Sequence, residues 1–103
     1  MKVSELSGFA LDWAVALCEV GPIDIKDIDD PHFYSTDWAE GGPIIEREEL
    51  SRLRCYGTNQ WECLNGEIVC EGATPLIAAM RCYVASKLGE EITLPEAFLE
   101  TSN

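Results

Sequence analysis

Sixteen residues near the end of the chain, TPLIAAMRCYVASKLG from Thr74 to Gly89, hold a helix start, an apolar stripe and a helix stop. Thr74 is a good N-cap, because its hydroxyl can accept from a free first-turn amide, and Pro75 follows at the first helical position, where a missing N–H costs nothing. Gly89 suits the left-handed position past the helix end, and Lys87 places positive charge at the negative pole of the helix dipole. Leu76, Ile77, Met80, Tyr83, Val84 and Leu88 recur at helical spacing, with Arg81 and Lys87 off that stripe. A helix of this kind must bury its stripe, so the rest of the chain has to supply a surface.

With 103 residues, 47% of them hydrophobic, the chain is expected to form a single domain over 1–103 with a core of its own. Nineteen acids against seven Lys and Arg leave a net charge of −12. Such a field disfavours direct nucleic-acid binding and anionic membranes, both of which rest on Lys/Arg neutralisation, and favours a basic partner or simply solubility. The five cysteines are odd in number and lack C-x-x-C spacing, and His32 is the single histidine, so neither a metal site nor a resident cofactor is expected. Reduced cysteines packed as small hydrophobes, together with an N-terminus broken by Glu5 and Asp12, point to a cytoplasmic protein without a signal peptide or membrane span.

Along the chain, Ser7 is the best cap for a first helix over Gly8 to about Glu19, with Leu6 and Leu11 spaced as a hydrophobic staple and Gly21-Pro22 as its stop. Ala10, Trp13, Ala14 and Leu17 make its inner stripe, which leaves Asp12 and Glu19 for water. Ile23 to Ile28 alternates apolar and charged residues and reads as a short strand. From Asp37 the pattern is helical, but Gly41-Gly42-Pro43 should divide it into Asp37–Glu40 and Pro43–Leu50, since an interior proline clashes with the preceding turn.

The next part reads as sheet. Leu53 and Cys55 alternate with Arg52, Arg54 and Tyr56, and Gly57-Thr58-Asn59 turns the chain. Asn65-Gly66 then predicts a type I′ hairpin that pairs Cys63 with Ile68 and Trp61 with Cys70, all on one face, with Glu62, Glu67 and Glu71 on the other. Ile92 to Leu94 reads as extended, with a last helical turn over Pro95–Leu99. The whole is an α+β sandwich, an antiparallel sheet of about four strands packed with three helices in the order α-β-α-β-β-β-α.

Tyr34, Ser35, Thr36, Asp37 and Trp38 set hydroxyls, a carboxylate and two aromatics beside a helix start. With Arg47 as a nearby cation they form a candidate site for a small polar ligand such as a nucleotide. Ordinary capping, with Trp38 in the core and Asp37 on the helix dipole, explains the same residues. Asp24, Asp27, Asp29, Asp30 and Glu40 form a candidate acidic surface for a partner; the four aspartates lack the glycine and distal glutamate of a calcium loop. His32 has no nucleophile placed beside it, so no catalytic residue is assigned. Arg47, Arg52 and Arg54 lie close together and are expected to neutralise nearby glutamates rather than to bind phosphate, because the surrounding field is negative, and Trp13, Trp38 and Trp61 read as core anchors.

Three stretches, LSGFALDWAVA (Leu6–Ala16), STDWAEGGPIIERE (Ser35–Glu48) and GATPLIAAMRCYVASKLGEEI (Gly72–Ile92), resemble the NinX-like family of small tailed-bacteriophage proteins. More loosely, the Thr-Asp segment followed by the C-terminal helix looks like the phage α-β-α sandwich domain. The resemblance implies a phage or prophage origin and an accessory role in the bacterial cytoplasm. Joined to the charge, it leads to the expectation of a non-enzymatic binder of a basic host protein; the alternative is a small-ligand binder using Tyr34–Trp38.

Overall fold

The computed structural model describes residues 2–21, 33–50 and 52–93. A 3₁₀ turn at Val3–Glu5 leads into α1 (Gly8–Val20); α2 (Trp38–Arg47) follows, then β1 (Arg52–Gly57), β2 (Gln60–Asn65), β3 (Ile68–Gly72) and α3 (Pro75–Leu88). The class is α+β. Among the described residues the sheet has three antiparallel strands in the order β1-β2-β3, one fewer than expected. The strand expected over Ile23–Ile28 and the turn over Pro95–Leu99 lie outside the described residues.

The α3 helix forms as its sequence dictates. Thr74 Oγ1 accepts from the Ile77 N–H at 3.1 Å, and Gly89 takes φ 90° while its N–H reaches Ala85 C=O at 2.9 Å. It packs on the sheet with one side and on α1 and α2 with the other. Being covered twice, it buries more than the predicted stripe: Ala78, Ala79, Cys82 and Ala85 are inside with Leu76, Met80, Tyr83 and Val84. Leu88, in the last turn, is 38% exposed. The Leu6–Leu11 staple closes as expected, with both side chains fully buried, although the Ser7 hydroxyl makes no capping bond.

The Gly-Gly-Pro stretch does not divide α2, contrary to expectation. The helix runs through Pro43, losing the one ladder bond that proline cannot donate. Gly41 serves close approach instead: a Cβ there would lie 2.3 Å from the Tyr34 carbonyl oxygen and 2.6 Å from Leu76 Cδ1. Tertiary packing of this turn and of buried Ile44 on α3 thus holds a helix that local rules would interrupt. Its end falls short of Leu50. Glu49 adopts φ 56°, its N–H bonds to Glu46 C=O, and the Leu50 N–H reaches back to Ile45 C=O, a Schellman closure that turns Leu50 into the core.

The hairpin register also differs from the prediction. Asn65 pairs with Ile68, Cys63 with Cys70 and Trp61 with Gly72, so the turn residues are Gly66-Glu67. Of these two only Gly66 has positive φ, 64°, which fits a type II′ turn with glycine first. The shift is two residues, so each side chain keeps its predicted face. Cys63 and Cys70 are buried, whereas Glu71 and Val69 face water. In β1 the pairing is irregular between Cys55 and Gly57, and both Cys55 and Tyr56 are exposed.

Candidate functional site

The Tyr34–Trp38 segment is pinned from α1. Asp12, expected to face water, is buried; its Oδ1 accepts the backbone N–H of buried Ser35 at 2.8 Å. Burial pushes the Asp12 carboxyl up, and the bonds with Ser35 oppose the shift. Nothing local marks this acid, which sits in the otherwise apolar run FALDWAVALC; only the chain returning to cover it gives it a partner. Tyr34 is also buried, its phenol pushed up chiefly by burial.

The rest of the segment faces outward. Phe33 C=O accepts from the Thr36 N–H at 3.2 Å and the Asp37 N–H at 2.8 Å, closing a turn, and Asp37 then caps α2 by accepting from the Ala39 N–H at 2.9 Å. Thr36 and Asp37 are exposed. Trp38, expected as a core anchor like the buried Trp13 and half-buried Trp61, is 53% exposed, as is Phe33. The cause is helix phase: Gly41 and Ile44 face inward, while Trp38 lies along the Gly42 side.

Arg47 is not brought to this segment. It stands nine residues on, about 14 Å along the axis of α2. There its Nη1 and Nη2 meet Glu19 Oε1 and Oε2 at 3.0 and 2.6 Å, and its Nε meets Glu48 at 2.9 Å. Tyr83 of α3 donates its hydroxyl to Glu19 at 2.5 Å, and Lys87 pairs with Glu48 at 3.1 Å. Arg47 thereby holds the Glu19 and Glu48 carboxyls below their ordinary range, while burial and Glu19 push the Tyr83 phenol up. Arg54 similarly pairs with Glu62 across β1 and β2. Glu40 is half-buried on α2; Asp24, Asp27, Asp29, Asp30 and His32 lie outside the described residues.

Two adjoining clefts, of about 460 and 270 Å³, lie elsewhere, along the outer edge of β3, and share Ser4, Val69 and Cys70. Sequence reasoning missed them because one wall comes from β3 and the other from Lys2, Ser4, Glu90 and Glu91, at opposite ends of the described chain. Lys2 and Glu91 form a single antiparallel bridge, and the Val3 N–H bonds to Glu90 C=O at 2.8 Å. Arg81 crosses the floor, donating Nε to Leu6 C=O at 2.8 Å and Nη1 to Glu71 C=O at 2.7 Å. Among the described residues no three His, Cys, Asp or Glu are grouped to hold a metal ion, and no helix is long and apolar enough to cross a membrane.

Among the described residues, a three-stranded antiparallel meander carrying one doubly covered helix defines a small acidic α+β protein. The chain belongs to the family described as Bacteriophage P22, NinX, whose match spans residues 2–87 and so takes in the sheet, the first two resembling stretches and the third as far as Lys87. A comparison with curated proteins finds no match.

Proposed function

We propose that the protein is a phage accessory factor that acts without catalysis in the host cytoplasm, binding a basic host protein through its acidic surface. The observation that carries this reading is the outward pair Phe33 and Trp38, each 53% exposed on a segment tied to α1 by the Ser35–Asp12 hydrogen bond and capped by exposed Asp37. Exposed aromatics are the usual anchors of protein interfaces, and carboxylates around them select for basic partners. The field supports it: of the seven Lys and Arg, Arg47, Arg54 and Lys87 are drawn into pairs with the protein's own glutamates, within a net charge of −12.

The experiment is affinity capture from host lysate by the wild type and by Trp38→Ser and Phe33→Ser, at low salt and at salt where screening falls below about 8 Å. A basic host protein retained at low salt, released at high salt and lost with either substitution is the expected result. No retained protein overturns the reading. The small-ligand alternative has less support, because Tyr34 and Ser35 are turned inward and Arg47 is engaged at the far end of α2. A nucleotide that raises the unfolding midpoint would favour it instead.

A further inference from the structure

Among the described residues the β3 strand is an edge of the sheet, and its outward hydrogen-bonding groups can be assigned. A two-residue turn makes Asn65 and Ile68 a hydrogen-bonded pair, so by antiparallel alternation Leu64–Val69 and Glu62–Glu71 are non-hydrogen-bonded pairs. The backbone N–H and C=O of Val69 and Glu71 therefore point away from β2. Glu71 confirms the alternation, since its C=O is the group that Arg81 Nη1 reaches at 2.7 Å. Val69, the second residue of β3, is 51% exposed and lines both clefts described above.

Those clefts meet at Ser4, Val69 and Cys70 to form one groove along β3; the Lys2–Glu91 bridge walls its smaller part, and Tyr56, Asn59, Gln60 and Arg81 wall its larger part. Glu71, Glu90 and Glu91 are exposed along it. Of its two cations, Arg81 is tied by two nitrogens to backbone carbonyls. Towards α3 the lining is Cys70 and Ala85, small and apolar. We propose that this groove receives an extended segment of a partner protein, added as a strand beside β3, with Lys or Arg at alternate positions facing the glutamates and small apolar residues between them facing Ala85. Backbone pairing to the N–H and C=O of Val69 and the N–H of Glu71 supplies affinity, and the alternate side chains supply selection. The proposal rests on the partner-binding reading above and gives a second contact its place.

The test measures fluorescence anisotropy of a labelled peptide of alternating Lys and Val against the full chain, beside a peptide of equal composition with its lysines in one block. Val69→Pro removes only an outward N–H, which an edge strand tolerates. The alternating peptide is expected to bind the wild type more tightly than the block peptide does, and to lose about tenfold on Val69→Pro, the worth of one good hydrogen bond at roughly 1.4 kcal/mol. A second measurement needs no variant: N-methylation of the peptide at alternate amides should abolish binding in one phase and spare it in the other. Equal binding of the two peptides, unchanged binding by folded Val69→Pro, indifference to both methylation phases, or no binding at all overturns the groove assignment. Any of these leaves host-protein capture through Phe33 and Trp38 to be judged on its own experiment.

Discussion

Arg47 and Glu19, 28 residues apart, form a two-pronged ion pair at 3.0 and 2.6 Å that fastens the C-terminal end of α2 to that of α1. Tyr83 completes it from α3, donating to the same carboxylate and lying 5.9 Å below the guanidinium. Because the Arg47 side chain is 51% exposed, the pair is screened by water despite its geometry. A double-mutant cycle with Arg47→Ala and Glu19→Ala, followed by urea unfolding, should return a coupling of about 0.5–1 kcal/mol that shrinks as salt is added. The lowered Glu19 carboxyl contributes stability that is present above its ordinary value of 4.5 and lost as the pH falls through the depressed folded value.

Asp12 has the opposite sign. Its folded carboxyl lies above the ordinary 3.8, so the native state holds the proton more tightly than the unfolded chain. Its contribution is fully present below 3.8 and lost as pH rises through the raised folded value. Asp12→Asn keeps an acceptor for the Ser35 N–H and cannot ionise. It should therefore gain stability relative to wild type as pH rises from below 3.8 to neutrality. Asp12→Ala orphans a buried N–H and should cost about 1–3 kcal/mol at acid pH, with the cost shrinking towards neutrality because alanine, too, cannot ionise. Unfolding curves of both variants from acid to neutral pH check the two statements.

Gly41 tests the reading of α2 as one helix seated by contact. In an open helix, alanine for glycine would gain up to about 1 kcal/mol. Here a Cβ would meet the Tyr34 carbonyl at 2.3 Å, and backbone cannot yield cheaply. Gly41→Ala should lower stability by about 1–3 kcal/mol, while Gly42→Ala, whose Cβ would find its nearest neighbour at 3.9 Å, should be neutral or stabilising. Thermal unfolding of the two single variants measures the difference.

The thiols should separate by exposure. Cys55 is exposed, Cys18 is half-buried with its thiol pushed up to about 11 by burial, and Cys63, Cys70 and Cys82 are buried. Since thiolate and access together set reactivity, a disulfide reagent at neutral pH should modify Cys55 quickly and the other four only on unfolding. Cys55→Ser should remove the fast phase.

Local chemistry fixed much of this protein before any folding is considered. The Thr74-Pro75 start and Gly89 stop set α3, Leu6 and Leu11 set the entry to α1, and the alternation around Asn65-Gly66 set which faces of β2 and β3 turn inward. These rest on caps, turns and periodicity, whose energies belong to a few neighbouring residues. The family was legible too, from three short stretches.

Tertiary structure decided the rest. Gly41 could be read as a breaker until Leu76 and the Tyr34 carbonyl were placed against it. Asp12 and Glu19 were polar residues assigned to water until Ser35 and Arg47 arrived from distant parts of the chain. The groove beside β3 needs Lys2 and Glu91 brought together. In each case the partner is supplied by a segment remote in sequence, and the free energy of burying a polar group or closing a contact depends on that partner, which no local pattern encodes.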